Sequence, residues 1–171
     1  RQSLAPELIQ TELPPELQKW VEEYEKVGER SEFLWKWIYN ADRAITELFN
    51  IPKRYRNLVF KTAFLLHMFT NLIDDASESN KDRRLVNEIL KVPFSQDSIK
   101  FQQLDREEKE YLNFTKKVWS EIEKNLKNYP YYRRIREIFE YDIYQLLNTT
   151  RYTSLIYKNP YLRNKTEYWM Y

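Results

Sequence analysis

Apolar residues recur three and four apart along most of the chain, the period that lines one face of an α-helix. Leu17, Trp20, Val21 and Tyr24 follow this spacing behind Glu16, an acidic first-turn residue, and Gly28 marks the predicted helix end. Residues 1–15 carry Pro6, Pro14 and Pro15 and read as an extended arm or short helix. A second helix is predicted from Ser31 to Phe49, stopped by Pro52, with Phe33-Leu34-Trp35-Lys36-Trp37-Ile38 apolar on more than one side. Pro52 also suits the first turn of a third helix, where a missing N–H is tolerated, and no breaker follows until about Glu78. That helix would run for roughly 26 residues, on the order of 39 Å. Its middle, Phe60 to Phe69, is apolar nearly all round, as expected of a central helix with neighbours on several sides.

Ser79 to Lys81 interrupts the pattern, a short helix is predicted over 82–90, and 92–98 is a loop containing Pro93. From Leu104 a charged amphipathic helix aims Leu104, Tyr111, Leu112, Phe114, Val118, Trp119 and Ile122 at a core until Asn128 to Pro130 ends it. A last long helix starts near Tyr131 and aims Ile135, Ile138, Phe139, Ile143, Leu146 and Leu147 inward. Pro160 limits it, and 165–171 begins another helix that the chain end cuts short. The fold class expected is all-α, a helical bundle forming a single domain over 1–171.

Composition narrows the chemistry. A single glycine leaves few of the turn residues that β-hairpins need, so helices are the default. With no cysteine there is no thiolate nucleophile and no Cys-ligated zinc, and the single His67 cannot build a histidine metal site alone. On a nearly all-apolar helix, His67 reads as a hydrogen-bonded core histidine. The 28 basic and 26 acidic residues balance to +2, which argues against nucleic-acid binding by bulk attraction. The most apolar stretch, 58–73, is broken by Lys61, His67 and Asn71 short of the ~20 residues a membrane span needs. A soluble, cytoplasmic protein is the expectation.

One cluster is chemically pointed. On a helix, Asp74 and Glu78 are four apart and Asp75 and Glu78 three apart, so their carboxylates are expected on neighbouring surface. Hard Mg²⁺ takes oxygen ligands, commonly one or two carboxylates completed by water and substrate phosphates. The plainer alternative is that these acids solvate a helix end. Against it, carboxylates at a helix C-terminus oppose the macrodipole by ~0.3–1 kcal/mol each, and they close the most apolar helix of the chain. The basic turn Lys53, Arg54 and Arg56 lies at the opposite end, roughly 30 Å away at 1.5 Å per residue, and reads as solvated. Arg83 and Arg84 follow the cluster and are expected to pair with Asp82 or Glu88. Trp37, Phe64, Phe69, Tyr141 and Tyr144 read as core or as a cavity lining able to stabilise a carbocation through their ring faces.

Asp74-Asp75-Ala76-Ser77-Glu78 matches the aspartate-rich DDxx(D/E) motif of class I isoprenoid synthases. Asp142, then Arg151-Tyr152, then Glu167-Tyr168-Trp169-Met170-Tyr171 is similar to the Asp-Leu, Arg-Tyr and Glu-Leu-x-x-Tyr pattern of the squalene/phytoene synthase branch. The resemblance spans 51–171. It implies an isoprenoid-synthase fold and a Mg²⁺ cofactor on Asp74, Asp75 and Glu78, with Asp74 and Asp75 catalytic. It also implies a prenyl diphosphate substrate, compatible with peripheral membrane contact, that Arg151 and Tyr152 help bind. Phe69 and Thr70 take positions that limit product length in related prenyltransferases, and Tyr144 is assigned to the substrate cavity. The family's second acidic metal motif does not occur before Tyr171, and Asn71 lies where an arginine often precedes the first motif. Condensation in the squalene/phytoene manner is favoured over terpene cyclisation, with a noncatalytic helical interaction domain as the reading from another class.

Overall fold

Asp105 opens a helix with a reciprocal cap: it accepts from the Glu108 N–H at 2.9 Å, while Glu108 accepts from the Asp105 N–H at 2.9 Å. This reciprocal capping box satisfies two N–H groups that a helix start would otherwise leave unpaired. The computed structural model describes residues 11–78 and 83–157, apart from the side chains of residues 78, 83 and 150–157. Among the described residues the secondary structure is all-helical: α1 Pro15–Tyr24, α2 Glu32–Leu48, α3 Lys53–Glu78, α4 Arg83–Ile89, α5 Arg106–Lys127 and α6 Tyr132–Tyr157. Two short 3₁₀ turns, Gln96–Ser98 and Phe101–Gln103, connect α4 to α5.

The apolar middle of α3 makes it the hub, in contact with α2, α4, α5 and α6. Phe64, Leu65, Met68, Phe69, Leu72 and Ile73 are all buried on it. Trp35 and Ile38 of α2 and Leu112, Val118 and Ile122 of α5 close over them. Each such side chain contributes about 1.5–3 kcal/mol by leaving water. Leu17, Val21 and Tyr24 of α1 complete this side, with the Tyr24 ring edge-on to Trp35 at 4.7 Å. No helix among the described residues is long and apolar enough to cross a membrane.

Three boundaries differ from the sequence reading for local reasons. Helix α2 stops at Leu48 because Asn50 turns the backbone left-handed at φ 48°, a conformation asparagine tolerates, so Pro52 is not the stop. Pro52 itself lies outside α3 and accepts the Tyr55 N–H through its carbonyl. Gly28 is not a left-handed helix cap either. Helix α1 has already ended at Tyr24, and a Cβ at position 28 would lie 2.4 Å from the Tyr24 ring, so glycine is required by that close approach.

The last helix departs further. Ile143 and Leu147 are buried and Phe139 stacks on Trp119 at 6.3 Å, but Ile135 and Ile138 are exposed, the latter at 65%. Tyr141 and Tyr144 are exposed as well. Helix α6 is apolar over more of its circumference than the described neighbours cover. On α2 the same holds, since Trp37, Ile45 and Leu48 form an exposed stripe beside the buried one. The predicted helix over 165–171 lies outside the described residues.

Candidate functional site

Consecutive helical residues point about 100° apart, and this separates the two aspartates. Asp74 is exposed on the outer side of α3, whereas Asp75 is turned inward and only 2% exposed. The Asp75 carboxylate meets three groups there. Its Oδ2 accepts from the Tyr24 hydroxyl and from the Glu29 N–H at 3.0 Å, and its Oδ1 lies 2.7 Å from Nε of Arg30. Burial, followed by this contact with Asp75, pushes the Tyr24 phenol far above its ordinary range, so it remains a donor. Tyr111 is raised too, chiefly by burial and then by the Asp75 charge, and its hydroxyl donates to the Leu72 carbonyl at 2.5 Å.

Asp75 therefore ties residues 24–30 to the last turns of α3. The two aspartates, expected on one surface with Glu78, instead face opposite ways, Asp74 out and Asp75 in. Helical spacing leaves Asp74 and Glu78, four apart, as the pair sharing a face, with the Glu78 side chain outside the described residues. Asp75 faces inward, held by Tyr24, Glu29 and Arg30, away from the face that carries Asp74. Among the described residues no three acidic or histidine side chains cluster as a metal site.

An accessible stripe runs along α3 through Phe60, Ala63, His67, Thr70, Asn71 and Asp74, at helical spacings of three and four. His67, two turns before Asp74, is 48% exposed and lies 3.3 Å through Nδ1 from Oδ2 of Asp42, itself 3% exposed. The Asp42 contact raises the imidazole pKa above its ordinary value, outweighing partial burial that acts the other way. His67 is thus hydrogen-bonded as expected but is half in solvent. The Thr70 hydroxyl and the Asn71 amide both donate to the His67 carbonyl at 2.8 Å. Phe69 faces the opposite way, buried with its ring 5.0 Å from Trp119, so it lines no part of this stripe.

The remaining candidates scatter. Phe64 is core, and Trp37 and Tyr141 are exposed. Tyr144 borders a cleft of about 630 Å³ with Arg84, Glu88, Lys91, Lys100 and Asn148. In that cleft Glu88 is buried and holds Lys91 at 2.6 Å and the Lys100 N–H at 2.7 Å. The side chains of Arg151 and Tyr152 lie outside the described residues, as do residues 167–171. In the basic turn, Arg56 donates to the Ile51 carbonyl at 2.8 Å and Arg54 stacks over the Tyr55 ring.

Sequence reasoning missed both anchors, Tyr24–Asp75–Arg30 and Asp42–His67. One signal was present: Asp42 continues the buried row Trp35, Ile38, Asp42, Thr46, and an acid in an apolar row needs a partner. Compared with known proteins, the chain matches no family model, no curated protein and no solved structure.

Proposed function

We propose that the chain is a Mg²⁺-dependent isoprenoid synthase that ionises prenyl diphosphates, with Asp74 and Glu78 as the carboxylates that hold the metal. The observation that carries this reading is the arrangement at the end of α3: Asp74 faces outward on an accessible stripe while Asp75 is locked inward. Two carboxylates match what Mg²⁺ takes from protein when a phosphate group supplies further oxygens. When bound, the metal supplies Lewis acidity toward the departing diphosphate.

The protein's own residues do the rest. Asp75, through Tyr24, Glu29 and Arg30, fixes the last turns of α3 and hence the direction of Asp74. Thr70 and Asn71 hold the preceding turn by bonding its carbonyl. Ionisation is common to squalene/phytoene-type condensation and to terpene cyclisation, and the former is the reading favoured by the resemblance to that branch. A prenyl substrate would suit peripheral membrane contact.

The test is incubation with Mg²⁺ and C10 to C20 prenyl diphosphates, following diphosphate release. Asp74→Asn should abolish release, and release unaffected by that substitution would sink the assignment. A noncatalytic helical interaction domain is favoured by a separate observation, the exposed apolar residues Trp37 and Leu48 on α2 and Ile138 on α6. On that reading, the intact chain releases no diphosphate from any of these substrates.

A further inference from the structure

Asp42 is a buried carboxylate on α2, and the partner its side chain finds is the ring of His67 on α3, half exposed on the stripe that ends at Asp74. In the neutral ring one nitrogen carries the proton and the other accepts, and the hydrogen bond decides which. A carboxylate oxygen can only accept, so Asp42 holds the proton on Nδ1 and leaves Nε2 with its lone pair. The Thr70 hydroxyl gives its one donor, and the Asn71 amide one of its two, to the His67 backbone carbonyl. Along the axis, Nε2 belongs to a residue seven before Asp74, about 10 Å at 1.5 Å per residue. A prenyl chain whose diphosphate sits at Asp74 and whose tail follows the stripe would pass His67.

We propose that His67, oriented by Asp42, is the proton acceptor that ends the cationic reaction on this face of α3. The inference rests on the ionisation reading above and adds a catalytic residue to it. The C–O bond to diphosphate breaks with its electron pair leaving on the diphosphate oxygen, and an allylic cation remains. After that cation has added to the double bond of a second prenyl chain, a C–H bond next to the resulting cationic carbon gives its proton to Nε2, and its electron pair becomes the new C=C bond. The product is a neutral olefin, and the imidazolium formed is matched in charge by Asp42. This is the positioning role of the carboxylate in an acid–histidine dyad. The charged group that acts on the ring is Asp42, which raises its proton affinity.

Because His67 is the single histidine, ring nitrogen NMR on ¹⁵N-histidine-labelled full chain reads it without assignment. The expected result is the Nδ1–H tautomer of the neutral ring and a titration midpoint above the ordinary histidine value, moving down in Asp42→Asn. The Nε2–H tautomer, or a midpoint indifferent to Asp42→Asn, overturns the proposal. In turnover, His67→Gln should keep diphosphate release while shifting products from olefin to water-quenched alcohol, by roughly 10²-fold in their ratio. Glutamine can still donate to Asp42, so a merely structural histidine predicts an unchanged ratio, and that result also overturns it. The two readings fail separately: release insensitive to Asp74→Asn sinks the metal assignment, whereas an unchanged product ratio in His67→Gln sinks the base. An intact chain that releases no diphosphate overturns both.

Discussion

Asp75 on α3 and Asp42 on α2 are buried to nearly the same degree, 2% and 3% exposed, yet they are satisfied in different ways. Asp75 has a phenol, a backbone N–H and a guanidinium around it. Asp42 has a half-exposed imidazole at 3.3 Å. The first arrangement pins a loop to a helix end and leaves nothing to exchange. The second connects a buried charge to a group that takes up and releases protons at the surface. Burial of an acid is thus no guide to its role until its partners are known.

The largest break in that contrast should come from Asp75→Ala. It strands the Tyr24 hydroxyl and the Glu29 N–H and takes one carboxylate contact from Arg30, and should cost about 2–6 kcal/mol at about 1–3 for each stranded donor. Chemical denaturation measures it, and a loss under about 1 kcal/mol would mean the network is not the anchor described. Next is Gly28→Ala, which attacks the same anchor through its wall. The added methyl meets the buried Tyr24 ring at 2.4 Å, so a cost of about 1–3 kcal/mol is expected from overpacking. A thermal melt equal to that of the parent would show that the ring yields.

The smallest effect is the one that sharpens the comparison. His67 has its pKa raised in the folded state, so its contribution is fully present below the unfolded value of about 6.5. It fades as pH rises through the folded value. The ring is half exposed and solvent screens the pair, so less than about 1 kcal/mol is expected. Asp42→Asn should flatten this part of the stability–pH curve, whereas Asp75→Ala should leave its shape across the histidine range unchanged. Denaturation midpoints between pH 5 and 9 distinguish them.

Much of the frame was legible in the residues. The breaker-free run after Pro52 predicted a helix to about Glu78, and α3 spans Lys53–Glu78. The apolar set from Leu104 to Ile122 is buried in full. These succeed because a helix is local, and its period shows in neighbouring residues. Ile138 shows the limit: spacing gave it an inward direction, but the described neighbours of α6 cover too little of that helix to bury it.

The sequence by itself determined the helical elements, the central position of α3 and the fact that Asp74, Asp75 and Glu78 close it. Tertiary structure alone decided which acid faces outward and what holds the other. Tyr24 is 51 positions from Asp75 and His67 is 25 from Asp42, separations at which no local periodicity carries information. Those partners meet because apolar faces of α1, α2 and α3 pack together. The polar groups carried inward then had to find one another, since an unpaired buried charge costs more than the packing around it can offset.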